Sequence, residues 1–347
     1  MTRLYRLLLL AGREAGEVVD DDQLVDPPLA AEDRHGVVPG KAGDHEDHDA
    51  EQRRADGVAR GGDEPASAGR GGVDEPPAGE RPSARVRALA PVPWIDHVVA
   101  TRLWERLGGV DPEAVAGTRI VALDPRLELS TGRRLIGSGA VADRIIVRDG
   151  DDVVLVGFDT QPAKVDNLAR LPMAWVDPAA ADQRVVLGSG PQAVTEYVRA
   201  LDEWRVLTAA ALAGLVEQTM TIAAEFAKSR YTLGVPISTL QAISHPLANM
   251  AIVVQGGRGL SRRAAWFLDN EPDERPELAG CAFVFMSEEA AKAATMAVHI
   301  QGGLGVSAEA AATAYLIRAR GWPLAGGDPG ITAKHVAELV AAREAAE

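Results

Sequence analysis

Two short stretches place polar side chains with ligand-binding chemistry inside otherwise apolar helical sequence. The first, "SRYTLGVPISTLQAISHPLANM" (residues 229–250), carries Arg230, Gln241 and His245 around a turn built on Gly234 and Pro236. The second, "AVHIQGGLGV", carries His299 and Gln301 immediately before Gly302 and Gly303. An arginine presents a rigid fork of donors that suits phosphate or carboxylate. Gln and His add neutral hydrogen-bonding groups, and paired glycines let backbone come close to a ligand. Each residue also has a plainer reading. Arg230 suits a helix C-terminus, where a cation is favoured by the dipole. Gln241, His245 and His299 suit helix flanks, and "GGLG" suits a helix-to-helix connection.

The elements that would position these residues follow from periodicity. In "ALAPVPWIDHVVATRLWERLGG", Ile95, Val98, Val99, Leu103 and Leu107 recur at helical spacing, with Gly108-Gly109 as a stop. From 118 to 187 the pattern changes to short β-rich runs such as "TRIVAL", "RIIVR" and "DVVLVGF", with "RDGDD" as a hairpin turn. From Leu201 onward the chain reads as helical. Trp204, Leu207, Ala211, Leu215, Ile222 and Phe226 mark one face of a long helix ending near Arg230. A second helix is expected over 238–267, with Pro246 disturbing its early part. A third is expected to start at an N-cap on Ser287 and to end at Gly302-Gly303. A fourth would be capped by Ser307, and a fifth would cover 331–345. The fold class expected is α+β multidomain, a small antiparallel β domain followed by an antiparallel helical bundle. Its boundaries are 1–88 unassigned, 89–110 a lone helix, 111–195 the β domain and 196–347 the bundle.

Composition narrows the function classes. The 347 residues are 46% hydrophobic, ample for a core, and show no run of about 18 consecutive apolar residues that would mark a membrane span. Acidic residues follow "MTRLYRLLLL" at once, so that opening is not read as a signal peptide. The lone Cys281 excludes an intramolecular disulfide and fits a cytoplasmic protein. With 36 basic and 50 acidic residues the net charge is −14, which disfavours nucleic acid. Residues 1–90 hold 12 basic and 19 acidic residues, a net of −7. That tract lacks apolar periodicity and is expected to be disordered. "DHEDHD" within it reads as a solvated acidic run, with no metal site expected.

Taken together, the motifs point further. The order Arg230-x-x-Leu233-Gly234-x-Pro236-Ile237-x-x-x-Gln241-Ala242, then Leu247-Ala248-x-Met250, resembles the acyl-CoA dehydrogenase family. There the motif reads Arg-x-x-Phe-Gly-x-Pro-Ile with a Gln a few residues on. "AVHIQGGLGVSAEAAATAYLIRARGW" is similar to the signature of that family's last helices. "GSGAVADRIIV" and "DNLARLPMAWV" are similar to the middle domain of its more divergent members. The resemblance covers about residues 89 to 335.

It implies FAD held across a subunit interface. Arg230 would contact the pyrophosphate, Gln241 would present an amide, and Gly302 and Gly303 would admit the dinucleotide. The implied flavin set is Arg230, Gln241, His299, Gln301, Gly302 and Gly303. Leu233 stands where the family usually has an aromatic, and His299 where a Gln is common. The implied reaction is α,β-dehydrogenation of an acyl-CoA, with an electron-transfer flavoprotein as acceptor. The implied assembly is a homo-oligomer or a hetero-oligomer with a related chain.

That reaction requires a carboxylate base facing the substrate Cα. The commonest family position falls on Gly327 in "AGGDP", next to Asp328. A second family position, just before an Arg on the first long helix, falls on Trp204 in "LDEWRVL". Glu203 precedes it, turned about 100° around the helix. Glu203 is the candidate base, and its plainer reading is a solvated acid near a helix start. The alternative is a non-catalytic subunit that completes the flavin site or oligomer of a related chain. "APVPWIDHVVATRLW" resembles the last helix of the family's N-terminal helical domain, and residues 1–86 show no period that would supply the rest.

Overall fold

The computed structural model describes residue 89 and residues 92–109, 111–126, 132–167 and 169–345. The expectations for residues 1–88, including "MTRLYRLLLL" and "DHEDHD", lie outside the described residues.

Helix α1 (Trp94–Arg106) buries Ile95, Val99, Ala100 and Leu103, and Gly108 ends it at φ +84°. A one-turn helix, α2 (Pro112–Val115), is capped by the Asp111 side chain accepting from Glu113 N. The sheet follows. β1 (Val121–Leu123), β3 (Arg144–Asp149), β4 (Asp152–Gly157) and β6 (Gln183–Ser189) pair in the order β1-β3-β4-β6, while β2 (Arg134–Ile136) and β5 (Ala174–Val176) form a separate antiparallel ribbon. "RDGDD" makes the hairpin between β3 and β4, with Gly150 at φ +62°.

The purely antiparallel expectation needs correction, because β1 lies parallel to β3. Parallel neighbours need a long crossover, and the segment between them, which includes β2, provides one. Local alternation cannot report that crossing.

The bundle comprises α3 (Gly190–Ser229), α4 (Gln241–Asn270), α5 (Glu277–Gln301), α6 (Ala311–Gly321) and α7 (Pro329–Glu344). Helix α3 starts at Gly190, directly after β6, rather than at Leu201. Pro191 in its first turn is the start signal, since a helix needs no amide hydrogen there. Helix α5 starts at Glu277 behind Pro276, so Ser287 is no N-cap. Ser287 lies mid-helix with Oγ donating to Phe283 O at 2.6 Å. Ser307 follows a 3-10 turn (Gly302–Val306), and Ala310 occupies the N-cap of α6. Pro246 lies inside α4 without ending it. Asp328 caps α7, accepting from Gly330 N at 2.9 Å.

The apolar faces are used internally. Helix α3 is long and apolar enough to cross a membrane by composition, with a mean hydropathy of 1.4, yet 61% of that window is buried. Trp204, Leu207 and Ala211 join α1 and the β1–β3–β4 strands in one core. Ala213, Leu215, Ala223 and Ala227 pack with Met250, Ala294, Ala297 and Ile300 in a second. The small alanines let α3, α4 and α5 approach closely, and the three lie antiparallel in succession.

Candidate functional site

That topology sets the end of α3, the start of α4 and the end of α5 at one end of the bundle. Ala227, Ile243 and Ile300 share its apolar core. Arg230 caps α3, its N–H donating to Phe226 O at 2.9 Å, and its side chain is exposed. The chain then turns back through β7 (Tyr231–Thr232) and β8 (Val235–Pro236). Leu233 and Gly234 both take positive φ, +49° and +82°, as a two-residue hairpin of this hand requires. Leu233 is 92% exposed at its tip. Gln241 opens α4 and is exposed.

Across the bundle end, His299 is exposed in the last turn of α5, while Gln301 is buried. The Gln301 Nε2 finds no hydrogen-bond partner among the described residues. A buried, unsatisfied amide costs about 1–3 kcal/mol, so an acceptor brought in from outside would be stabilising. Gly302 ends the helix at φ +59°, and an added Cβ there or at Gly303 meets nothing within 4 Å. All six residues implied by the motifs therefore lie at one end, where exposed donors surround open backbone. A donor set of one guanidinium, two amides and an imidazole suits a dinucleotide such as FAD. A groove of about 870 Å³ runs along α5, lined by Lys292, Thr295, Met296 and His299, with Arg320 and Leu324 on its other wall.

The two base positions lie elsewhere, but together. A Cβ at Gly326 would come within 2.6 Å of the Trp204 ring, so the 323–326 turn rests directly on the indole. Gly327 takes φ +93°, a conformation a glutamate would adopt only under strain. Trp204 is 2% exposed and packs on Phe283 at 5.5 Å between ring centroids. Its Nε1 donates to Asp96 Oδ1 at 2.8 Å, and Ser138 Oγ donates to Asp96 Oδ2. Burial raises the Asp96 pKa above the usual carboxylate range, against those two hydrogen bonds. Asp96 was not singled out from sequence. It sits on α1, about a hundred residues from Trp204, and no local spacing announces the pair.

Glu203 is not a solvated acid at a helix start. It is well inside α3 and 1% exposed. Arg102 Nε donates to its Oε2 at 2.9 Å and Arg106 Nη1 to its Oε1 at 2.9 Å. With both oxygens held by guanidinium groups, Glu203 ties α1 to α3. It is also about 40 Å along the helix axis from Arg230, at 1.5 Å of rise per residue. The structure thus does not bring it together with the flavin set.

Residues 195–341 match the family model described as the C-terminal domain of acyl-CoA dehydrogenase. The chain is 29% identical over 180 residues to "Probable acyl-CoA dehydrogenase YngJ" of Bacillus subtilis (strain 168), covering 52% of this chain and 46% of that one. The chain thus spans about half the length of that relative. It is 25% identical over 235 residues to "Acyl-CoA dehydrogenase IpdE2" of Mycobacterium tuberculosis, covering 68% of each. Among solved structures, the ChsE4-ChsE5 complex of Mycobacterium tuberculosis aligns at a TM-score of 0.61 and 25% identity, over 75% of this chain and 78% of that one. Butyryl-CoA dehydrogenase from Megasphaera elsdenii shares the fold at a TM-score of 0.64 and 20% identity, over 75% and 81%. Bundle, glycine turn and hairpin motif agree with these matches, and residues 195–341 form a C-terminal domain of the acyl-CoA dehydrogenase type.

Proposed function

We propose that this chain is the cofactor-completing subunit of a two-chain acyl-CoA dehydrogenase, in which a related chain supplies the catalytic carboxylate. One observation carries the reading. The two family base positions fall on Trp204, which is buried, and on Gly327, which has a positive φ beside the Gly326 that meets the Trp204 ring, while the bundle end keeps its ligand-directed residues. About 40 Å of helix separates the two regions. The Arg230 end therefore serves a cofactor shared with a neighbouring chain.

In this assembly Arg230 would hold the cofactor diphosphate through a charge-assisted contact. Gln241 and His299 orient it, the Gln301 amide gains its missing acceptor, and Gly302 and Gly303 allow close backbone approach. FAD held there would supply the redox chemistry of an acyl-CoA α,β-dehydrogenation. The related chain's carboxylate would take the α-proton, and an electron-transfer flavoprotein would be the electron acceptor. Protein groups supply placement and the cofactor supplies the redox step. That IpdE2 is named an acyl-CoA dehydrogenase and that ChsE4 and ChsE5 form a complex support the pairing.

Co-expression with related acyl-CoA dehydrogenase chains tests the reading. The expected result is a complex that retains yellow flavin and oxidises acyl-CoA, with neither property in this chain alone. Arg230→Ala is expected to weaken FAD retention by the complex about 10- to 100-fold, the range for a charge-assisted hydrogen bond. Turnover by the isolated chain would instead favour a self-sufficient dehydrogenase.

A further inference from the structure

Arg318 occupies the last turn of α6 and is 6% exposed, although arginine is rarely buried without a partner. Its Nη2 donates to Leu89 O at 2.9 Å, and its guanidinium lies 5.8 Å from the Trp322 ring centroid. Among the described residues no carboxylate pairs with it. The negative end of α6 offsets only about 0.3–1 kcal/mol of such a charge.

The end of α6 also abuts a loop that carries a second cation. A Cβ at Gly321 would meet Ala169 Cβ at 2.3 Å and Ala169 N at 3.3 Å, so the end of α6 abuts the loop at Ala169. The next loop residue is Arg170, exposed and held at φ +55°. Left-handed backbone costs a non-glycine residue roughly 1–2 kcal/mol, and the loop maintains it through an asparagine clamp. Asn167 Nδ2 donates to Val165 O at 2.9 Å and Leu171 O at 2.8 Å, while its Oδ1 accepts from Leu171 N at 3.1 Å. Arg170 N donates to Asn167 O at 3.1 Å. Asp166, the acid of the same loop, makes no ion pair with either arginine. Burial, and then the neighbouring Arg170 charge, holds Arg318 below the usual arginine pKa.

We infer that Arg318 and Arg170 form an anion subsite for a phosphoryl group, at the junction of the 165–171 loop with the end of α6. A carboxylate would balance only one of the two charges, whereas a phosphoryl dianion balances both and matches guanidinium geometry. The subsite uses none of the residues at the Arg230 end, and it stands or falls independently of the dehydrogenase reading. The phosphoryl group belongs either to a nucleotide or to free phosphate.

The test titrates the purified full chain with inorganic phosphate, ADP or coenzyme A, against chloride at matched ionic strength. Melting midpoint and binding heat are followed. A saturable rise with a Kd on the order of 1 mM for phosphate is expected, by the linkage of native-state binding to stability. Arg170→Gly suits the left-handed position, so the fold is retained, and binding is expected to weaken about tenfold. Arg318→Met should abolish it, and if that variant does not fold, Arg170→Gly decides. ADP or coenzyme A binding at least about tenfold tighter than phosphate assigns the site to a nucleotide; equal binding assigns it to free phosphate. A rise no larger than with chloride, or an unchanged rise in Arg170→Gly, overturns the subsite.

Discussion

The Glu203–Trp204 region of helix α3 and the helix's C-terminal end differ in how their polar groups are treated. Around Glu203 and Trp204, both carboxylates are matched within the chain: Glu203 by Arg102 and Arg106, Asp96 by Ser138 and Trp204. Around Arg230, the side chains are exposed, and the buried Gln301 amide has no described partner. A region whose polar groups are satisfied internally is built for stability. One that leaves donors open is built for something outside the chain. The difference teaches that this chain satisfies the Glu203 carboxylate from within and leaves donors open around Arg230.

The largest expected effect is at the closed end. Glu203→Ala leaves two guanidinium groups against a buried void and should cost about 3 kcal/mol, lowering the melting midpoint by about 10 °C. Glu203→Gln should cost less, because it keeps the volume and part of the hydrogen bonding. If Glu203→Gln instead left the midpoint unchanged and abolished turnover of a reconstituted complex, the two ends would have to exchange roles.

A smaller, pH-dependent effect is expected at Asp96. Burial raises its pKa in the folded chain. Its contribution is therefore fully present below the ordinary aspartate value and is lost as pH rises through the raised value. Asp96→Asn removes that dependence, so its melting midpoint should gain on the parent's as pH rises over this range. Parallel curves would show that Asp96 is well solvated and the end less closed than described.

The smallest effect is at the open end. Leu233→Gly relieves a left-handed leucine with no packing to lose, and should stabilise the isolated chain by about 0.5–1 kcal/mol. Loss of stability would mean that the hairpin tip packs within the chain, contrary to its 92% exposure.

The sequence alone made the open end legible. Its residues are local to two motifs, each fixed by a helix terminus and a glycine: Arg230 with Gly234, and Gln301 with Gly302. Helical periodicity gave the faces of α1 and α3, because those signals repeat within a turn or two. It misplaced the starts of α3 and α5, where Pro191 and Pro276 were the markers and Ser287 was a competing one.

Only the tertiary structure decided the closed end. Arg102 and Arg106 are 101 and 97 residues from Glu203, and Gly326 meets Trp204 from the far side of the bundle. Burial and ion pairing depend on which distant elements share a core, and the periodicity of one segment carries no information about its neighbour in space. The parallel β1–β3 pairing and the Arg170–Arg318 junction follow the same rule.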